Sequence, residues 1–344
     1  MSAYPSRRTV LAGTAAAGVL SRTPPSFAQA AAPSPAMQAV LSYVQGQNTT
    51  GFLIVQDRKT LVEKNWPAPT DPVFKAFAYG TTSTGALLED VASQQKSWVS
   101  FLVAVAIDKG LMDVDKPVSA YIGLGWSKTR PEQEAKIRVI DVLTMSSGLT
   151  EGFTYAAPPG TLFFYNTPVY AITKTIVAAA ARQPIEVLTH DWLTGPAGMT
   201  DTAWRKRPQT AAFAAAANPT GLVTCPRDAA RFGQIILDGG KAADGTRIVS
   251  QASLGAMFTR SATNPAYGRL WWLNGGAYAF RAGAGRVDGP LIPAAPADLV
   301  AALGALDRKL YVVPSKNLIV VRMGAAAEKG FDERLWSLLS RAIA

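Results

Sequence analysis

Ser93 and Lys96, in Ala92-Ser93-Gln94-Gln95-Lys96-Ser97-Trp98, are a nucleophile and a base three residues apart. On a helix that spacing is nearly one turn, so the two side chains share a face. They open the apolar run Val99 to Ile107, which Asp108-Lys109-Gly110 stops. The stretch predicts one buried helix with a glycine after its end, and Ser93 near the start, where backbone N–H groups lack partners within the helix. With 20 Ser and 14 Lys in 344 residues, about one Ser-x-x-Lys arises by chance. The tetrapeptide therefore needs a context.

Scarcity elsewhere supplies part of it. His190 is the single histidine, so it is the one candidate for a Ser-His-Asp triad or a histidine metal site. Standing on a predicted helix before a loop, it reads as structural or exposed. No metal is expected, since one imidazole without clustered carboxylates makes a poor site. Cys225 is the single cysteine, which excludes an intramolecular disulfide; it reads as a small buried residue before a helix. The nucleophile elbow Gly-x-Ser-x-Gly is absent. Gly283-Ala284-Gly285 lacks the strand-to-helix setting of a dinucleotide site, and no cofactor is expected. A serine hydrolase built from this chain needs lysine as its base. Lysine titrates near ~10.4, so neutral-pH work requires a depression of roughly three units, about 4 kcal/mol. Burial can supply that, and a tyrosine can relay the proton.

The elements that must hold these groups follow from periodicity. Gly51–Gln56 and Lys59–Lys64 predict a hairpin turning at Asp57-Arg58, and helices are expected at 37–44, 138–145, 169–181, 185–192 and 227–237. Strand patterns return at 270–273, 299–303, 309–313 and 318–323, before an amphipathic helix at 331–343. Strands at both ends with helices between predict an α+β fold: an antiparallel sheet flanked by helices, built from both chain ends, with an inserted all-helical domain. The expected division is 31–112 with 245–344 for the sheet domain and 113–244 for the mainly helical one. Residues 1–30 read as a twin-arginine signal peptide, from Ser6-Arg7-Arg8-Thr9-Val10-Leu11, a short apolar stretch and the exit Ala28-Gln29-Ala30. Periplasmic or secreted localisation and no stable membrane anchor follow. Removing Arg7, Arg8 and Arg22 lowers the formal +10 by three. The remaining excess is thinly spread, with no basic and aromatic stripe for nucleic acid.

Three segments then occur in order: Ser93-Gln94-Gln95-Lys96; Leu143-Thr144-Met145-Ser146-Ser147-Gly148-Leu149; and Pro159-Gly160-Thr161-Leu162-Phe163-Phe164-Tyr165-Asn166-Thr167-Pro168-Val169-Tyr170. With Gly195 to Trp204, Arg227 to Gly233, Tyr267-Gly268 before Trp271-Trp272, and Tyr311 to Ser315, the chain resembles the serine β-lactamase-related hydrolases. That group holds class C β-lactamases, DD-peptidases, esterases and 6-aminohexanoate-dimer hydrolase. The resemblance spans nearly all of the chain after residue 30.

It implies that Ser93 is the acylated nucleophile, Lys96 its base and Tyr165 the tyrosine of the Tyr-x-Asn motif. Thr167 stands where the family has asparagine; Asn166 lies one residue early. In the third motif, Lys-Thr-Gly or His-x-Gly, the matching residues are Ala302-Leu303-Gly304. The resemblance implies an oxyanion hole from the amides of Ser93 and Ala305, and substrate contacts from Thr167, Trp272, Ala302 and Gly304, with Gly304 letting substrate lie against the strand. Because Ala302 cannot hold a substrate carboxylate, the expectation is an esterase or amidase acting through an acyl-enzyme on a small molecule. Two alternatives stay open: a catalytically weak binding protein on the same fold, and a DD-peptidase or β-lactamase. Ser146 and Ser147 read as a turn, Tyr170 as packing, and Asp228 as an ion-pair element between Arg227 and Arg231. Substrate identity and oligomeric state are not encoded in any motif.

Overall fold

The computed structural model describes residues 33–210 and 217–343. The twin-arginine pattern and the signal assigned to residues 1–30 lie outside them. Helix α1 (Pro35–Gln45) leads into strands β1 (Thr49–Gln56) and β2 (Lys59–Asn65). Their hairpin turns at Asp57 and Arg58, both with positive φ, the backbone that matches the twist of paired strands. Next come β3 (Ala78–Thr81), β4 (Leu87–Asp90) and helix α2 (Gln95–Asp108). Helix α3 (Thr167–Ala181), β5 (Ala203–Lys206), β6 (Thr220–Thr224) and helix α4 (Pro226–Leu237) follow. After a short helix at Gln251–Met257, the chain continues through β7 (Trp272–Leu273), β8 (Tyr278–Phe280), β9 (Arg286–Asp288), β10 (Val300–Gly304), β11 (Arg308–Val313), β12 (Leu318–Gly324) and helix α5 (Phe331–Ala342).

The main sheet is antiparallel, six-stranded and ordered β2-β1-β12-β11-β10-β7, so strands from the two ends of the chain meet at the β1–β12 pair. That is the α+β arrangement the pattern of elements predicts. β11 and β12 are buried along their whole length because helices cover both faces. On one face α1 meets α5, with Tyr43 stacked on Phe331 at 5.7 Å. On the other, α4 lies so close that a Cβ on Gly233 would stand 3.0 Å from the Ile319 side chain. Helix α2 is buried from Gln95 to Ala106, as expected of a helix apolar all round. Among the described residues no helix is long and apolar enough to cross a membrane.

The structure adds a second sheet, four-stranded and ordered β3-β4-β6-β5. Two of its strands, β5 and β6, fall within 113–244, which periodicity presents as mainly helical. Each strand of this sheet has only four or five residues, too few for an alternating pattern to emerge. This small sheet carries the serine, because β4 runs straight into the turn before α2.

Candidate active site

Ser93 does not lie on the long helix itself. It sits in a tight 3₁₀ turn, Ala92–Gln94, that precedes α2. Ala92 has φ +50°, a left-handed backbone that a non-glycine residue adopts only when its surroundings hold it there. The holder is Asp90, whose Oδ1 accepts the Ala92 N–H at 2.8 Å. Asp90 is fully buried and is gripped by Arg207, with Nε at 2.6 Å and Nη2 at 2.9 Å. Gly221 makes room for this pair, since a Cβ there would lie 2.0 Å from Asp90 Oδ2.

One turn on, Lys96 Nζ lies 2.9 Å from Ser93 Oγ and 3.1 Å from Thr167 Oγ1. It faces the rings of Tyr165 and Tyr170, at 4.9 and 4.6 Å. Burial, followed by repulsion from Arg207 and Lys174, holds the Lys96 pKa well below that of an ordinary lysine. A neutral amine beside a serine hydroxyl is a base in position. Tyr165 shifts the other way. Burial pushes its phenol up to about 12, while the Ser93 hydroxyl pulls it slightly back. Near neutral pH Tyr165 is therefore a protonated phenol, suited to passing a proton rather than removing one. Lys174 on α3 is a second buried lysine, lowered to about 7 by burial and Arg207. It donates to Asn218 Oδ1, Thr220 Oγ1 and the Thr220 carbonyl.

Thr167 thus meets Lys96 from the position of the missing asparagine. Asn166 is turned away: its Oδ1 caps α3 by accepting from Val169 N–H at 3.1 Å, and its Nδ2 donates to the Leu149 carbonyl at 2.9 Å. Tyr170 is fully buried, and its ring face is part of the Lys96 surroundings rather than packing alone.

Across from Ser93 stands the end of β10. Leu303, Gly304 and Ala305 line the cavity with Ser93, Tyr165 and Trp272, enclosing about 410 Å³. Ala302 does not line it: it is fully buried, because side chains alternate along a strand and Leu303 takes the cleft-facing place. Gly304, which borders the cavity, also serves a second purpose. A Cβ there would lie 2.2 Å from the Val91 carbonyl oxygen and 3.3 Å from Gln94 N. The glycine lets β10 press against the serine turn. Ser93 and Ala305 each belong to a short turn whose first amides lack helical acceptors, and both border the cavity.

The turn after Gly304 is tight, with Leu306 and Asp307 at φ +58° and +57°. Buried arginines fix it. Arg308 Nε donates to Glu89 Oε2 at 2.9 Å and Nη1 to the Ala305 carbonyl at 3.3 Å. Arg322 Nη1 donates to the Leu306 and Asp307 carbonyls, at 2.8 and 3.0 Å. Glu89 immediately precedes Asp90 on β4, so Arg308 ties the serine strand to the turn bearing Ala305.

Trp272 stacks on Tyr165, with ring centroids 5.6 Å apart, and borders the cavity. Trp271 is fully buried against Phe232 and Phe258. Alternation predicts such a split for the tryptophan pair. Arg281, Asp307, Lys309 and Asp332 also line the cavity, and the sequence reading missed all four. Lys309, second residue of the otherwise apolar strand β11 after Arg308, is the signal that marks one of them. His190 is exposed, and among the described residues its side-chain hydrogen bond is to Asp191, at 2.8 Å. Cys225 is buried, its thiol pushed up to about 11 chiefly by burial. It lies near Asp201 and Asp228, with potential ligand atoms within 4.8 Å of one another. Asp228, however, already accepts from Thr202, Asp201 N–H and Arg231. Its ion pair is with Arg231 alone, since Arg227 turns to Glu63 at 2.6 Å.

A beta-lactamase family model matches residues 37–341. Comparison with curated proteins finds no match. Solved structures with a similar fold include a protein assigned as a beta-lactamase from Bacteroides dorei, with TM-score 0.69, 15% identity, and 90% of this chain and 98% of that one covered. A family VIII carboxylesterase gives TM-score 0.65 at 13% identity, covering 90% and 98%. A protein from Bacillus anthracis assigned as a 6-aminohexanoate-dimer hydrolase gives 0.63 at 15% identity, covering 88% and 79%. At such identities the likeness is one of fold.

Proposed function

The chain belongs to the beta-lactamase family, a family of serine hydrolases, and from that premise we propose that it cleaves ester or amide bonds of small molecules through an acyl-enzyme on Ser93. The observation that carries this reading is the contact of a buried lysine, held well below its usual pKa, with the Ser93 hydroxyl at 2.9 Å. In the proposed cycle Lys96 Nζ takes the Ser93 proton as Oγ attacks the carbonyl carbon. The amides of Ser93 and Ala305 receive the oxyanion, each donor worth about 3 to 4 kcal/mol. Collapse breaks the ester or amide bond, and the leaving alcohol or amine takes the proton through Lys96 and the Tyr165 phenol. Water then attacks the acyl carbon, giving its proton to the same pair, and Ser93 is released.

Ala302 bears on substrate class. It occupies the place of the family's basic third-motif residue and is buried within β10, out of the cavity, which supports esterase or amidase activity over efficient turnover of β-lactams. The Ser6–Leu11 twin-arginine pattern supports action beyond the inner membrane. The test is a short-chain chromogenic ester assay together with intact-mass detection of a fluorophosphonate adduct. One adduct per chain and turnover of the ester are expected, both lost in Ser93→Ala. Labelling undiminished in Ser93→Ala overturns the assignment.

A further inference from the structure

The cavity beside Ser93 adjoins a second one, of about 390 Å³, and Arg281, Leu291, Asp307 and Asp332 border both. Arg281 therefore stands at the junction, at the end of the cleft that continues away from the serine. The charged groups around this junction are not equally engaged. Lys309 is held between Asp307 and Asp332, with Nζ at 3.1 Å from each. Asp307 Oδ2 accepts the Ala327 N–H at 2.9 Å, and Asp332 accepts the Tyr311 hydroxyl. In the second cavity Glu328 accepts from the Tyr43 hydroxyl at 3.0 Å, and Glu333 from the Ala294 N–H at 3.1 Å. Every acid at the junction thus has a donor.

Arg281 is different. Among the described residues it makes one hydrogen bond, Nη2 to the Leu291 carbonyl at 2.6 Å, and no ion pair. A guanidinium carries five N–H groups in a planar fork shaped for a carboxylate, so most of that fork remains available. Its mounting is firm as well. Arg281 follows β8, whose Phe280 is held on both backbone groups by the fully buried Asn264, at 2.9 and 3.2 Å. Phe280 in turn packs on Phe163, two residues before Tyr165.

We propose that Arg281 is a specificity-determining residue that binds a carboxylate carried by the substrate beyond the scissile bond. The inference rests on the reading of this cavity as the hydrolytic site. It gives the cleft an anion anchor on a different element from the strand position occupied by Ala302, so it selects substrates of a different shape.

The experiment compares mono-p-nitrophenyl glutarate with p-nitrophenyl valerate, two esters of equal chain length that differ in a terminal carboxylate. Wild-type protein should favour the carboxylated ester about tenfold or more in kcat/KM, mainly through KM, as a charge-assisted contact implies. Arg281→Ala should bring the ratio near one, Arg281→Glu should invert it, and Arg281→Lys should retain part of it. Equal rates on the two esters in wild type, or a ratio unchanged in Arg281→Ala, overturn the proposal. A binding arm separates its failure from that of the hydrolase reading. Quenching of tryptophan fluorescence in Ser93→Ala should show 4-phenylbutyrate binding more tightly than 4-phenylbutyramide, with the difference lost on adding Arg281→Ala. That result with no ester turnover in wild type would refute the hydrolase reading alone. Phenylbutyrate binding no tighter than the amide overturns the role of Arg281.

Discussion

The two walls of the cleft treat buried charge in opposite ways. On the wall made by the β10–β11 hairpin, buried cations meet carboxylates: Arg308 with Glu89 at 2.9 Å, and Lys309 with Asp307 and Asp332. On the helical wall, among the described residues, Lys96 touches two hydroxyls and two ring faces, and Lys174 an amide, a hydroxyl, a carbonyl and the Trp204 ring. A paired buried charge is a fixed strut, because separating it leaves an uncompensated ion. A buried lysine with no carboxylate instead loses its proton readily. The hairpin wall therefore supplies geometry, holding Ala305 against the serine turn, and in the proposed mechanism the helical wall supplies the base. Asp90 and Arg207 serve both: the pair fixes the turn at Ala92, and the guanidinium contributes to the lowered pKa of Lys96.

The sharpest way to break this comparison is to remove one cation from each wall. Lys96→Met should cost about 10²- to 10⁴-fold in kcat, the usual range for a positioned base, yet leave thermal stability at neutral pH equal or higher. Arg308→Met should lower unfolding stability by about 3–5 kcal/mol in a urea titration, since Glu89 would stay buried without its partner. Comparable losses of stability in the two variants would erase the distinction.

The pH dependence sharpens it further. In the proposed mechanism Lys96 acts when neutral, so the rate should rise with pH along an acid limb set well below the pKa of an ordinary lysine. Tyr165 should cause no alkaline loss until the pH nears about 12. Stability carries the same signature. A lysine whose folded pKa is lowered leaves the unfolded chain holding more protons, so stability rises with pH between the folded and unfolded values. For Lys174 that window runs from about 7 to 10.5. Lys174→Met should flatten the slope there, measured by denaturation across that range.

Smaller effects probe the edge of the helical wall. Thr167→Val removes an acceptor of Lys96 that favours the protonated amine, so the acid limb should move to lower pH, with a loss in kcat of less than about tenfold. Asn166→Ala removes the cap of α3 and should cost about 1 kcal/mol of stability, read from the midpoint of chemical denaturation.

How much of this was legible beforehand varies with the range of the interaction. The β1–β2 hairpin, helix α2, the final strands and the closing helix follow from alternation, helical spacing and turn residues, all properties of neighbours in the chain. The spacing of Ser93 and Lys96 belongs with them, since one helical turn sets it. The short strands β3 to β6 escaped because four or five residues carry too little pattern, and β10 shows how one position changes a role. Periodicity finds the strand but cannot say whether Ala302 or Leu303 faces the cleft.

The sequence by itself determined the main elements and excluded histidine chemistry, because composition and local periodicity suffice for those; the nucleophile came only through the resemblance of its motifs to a family. Only the tertiary structure decided that Gly304 serves the close approach of β10 to Val91, that Asn166 turns away from the site, and that Glu89 meets Arg308 across 219 residues of chain. Those outcomes depend on strand register and on the need to pair charges once they are buried. Both are settled when distant segments come together.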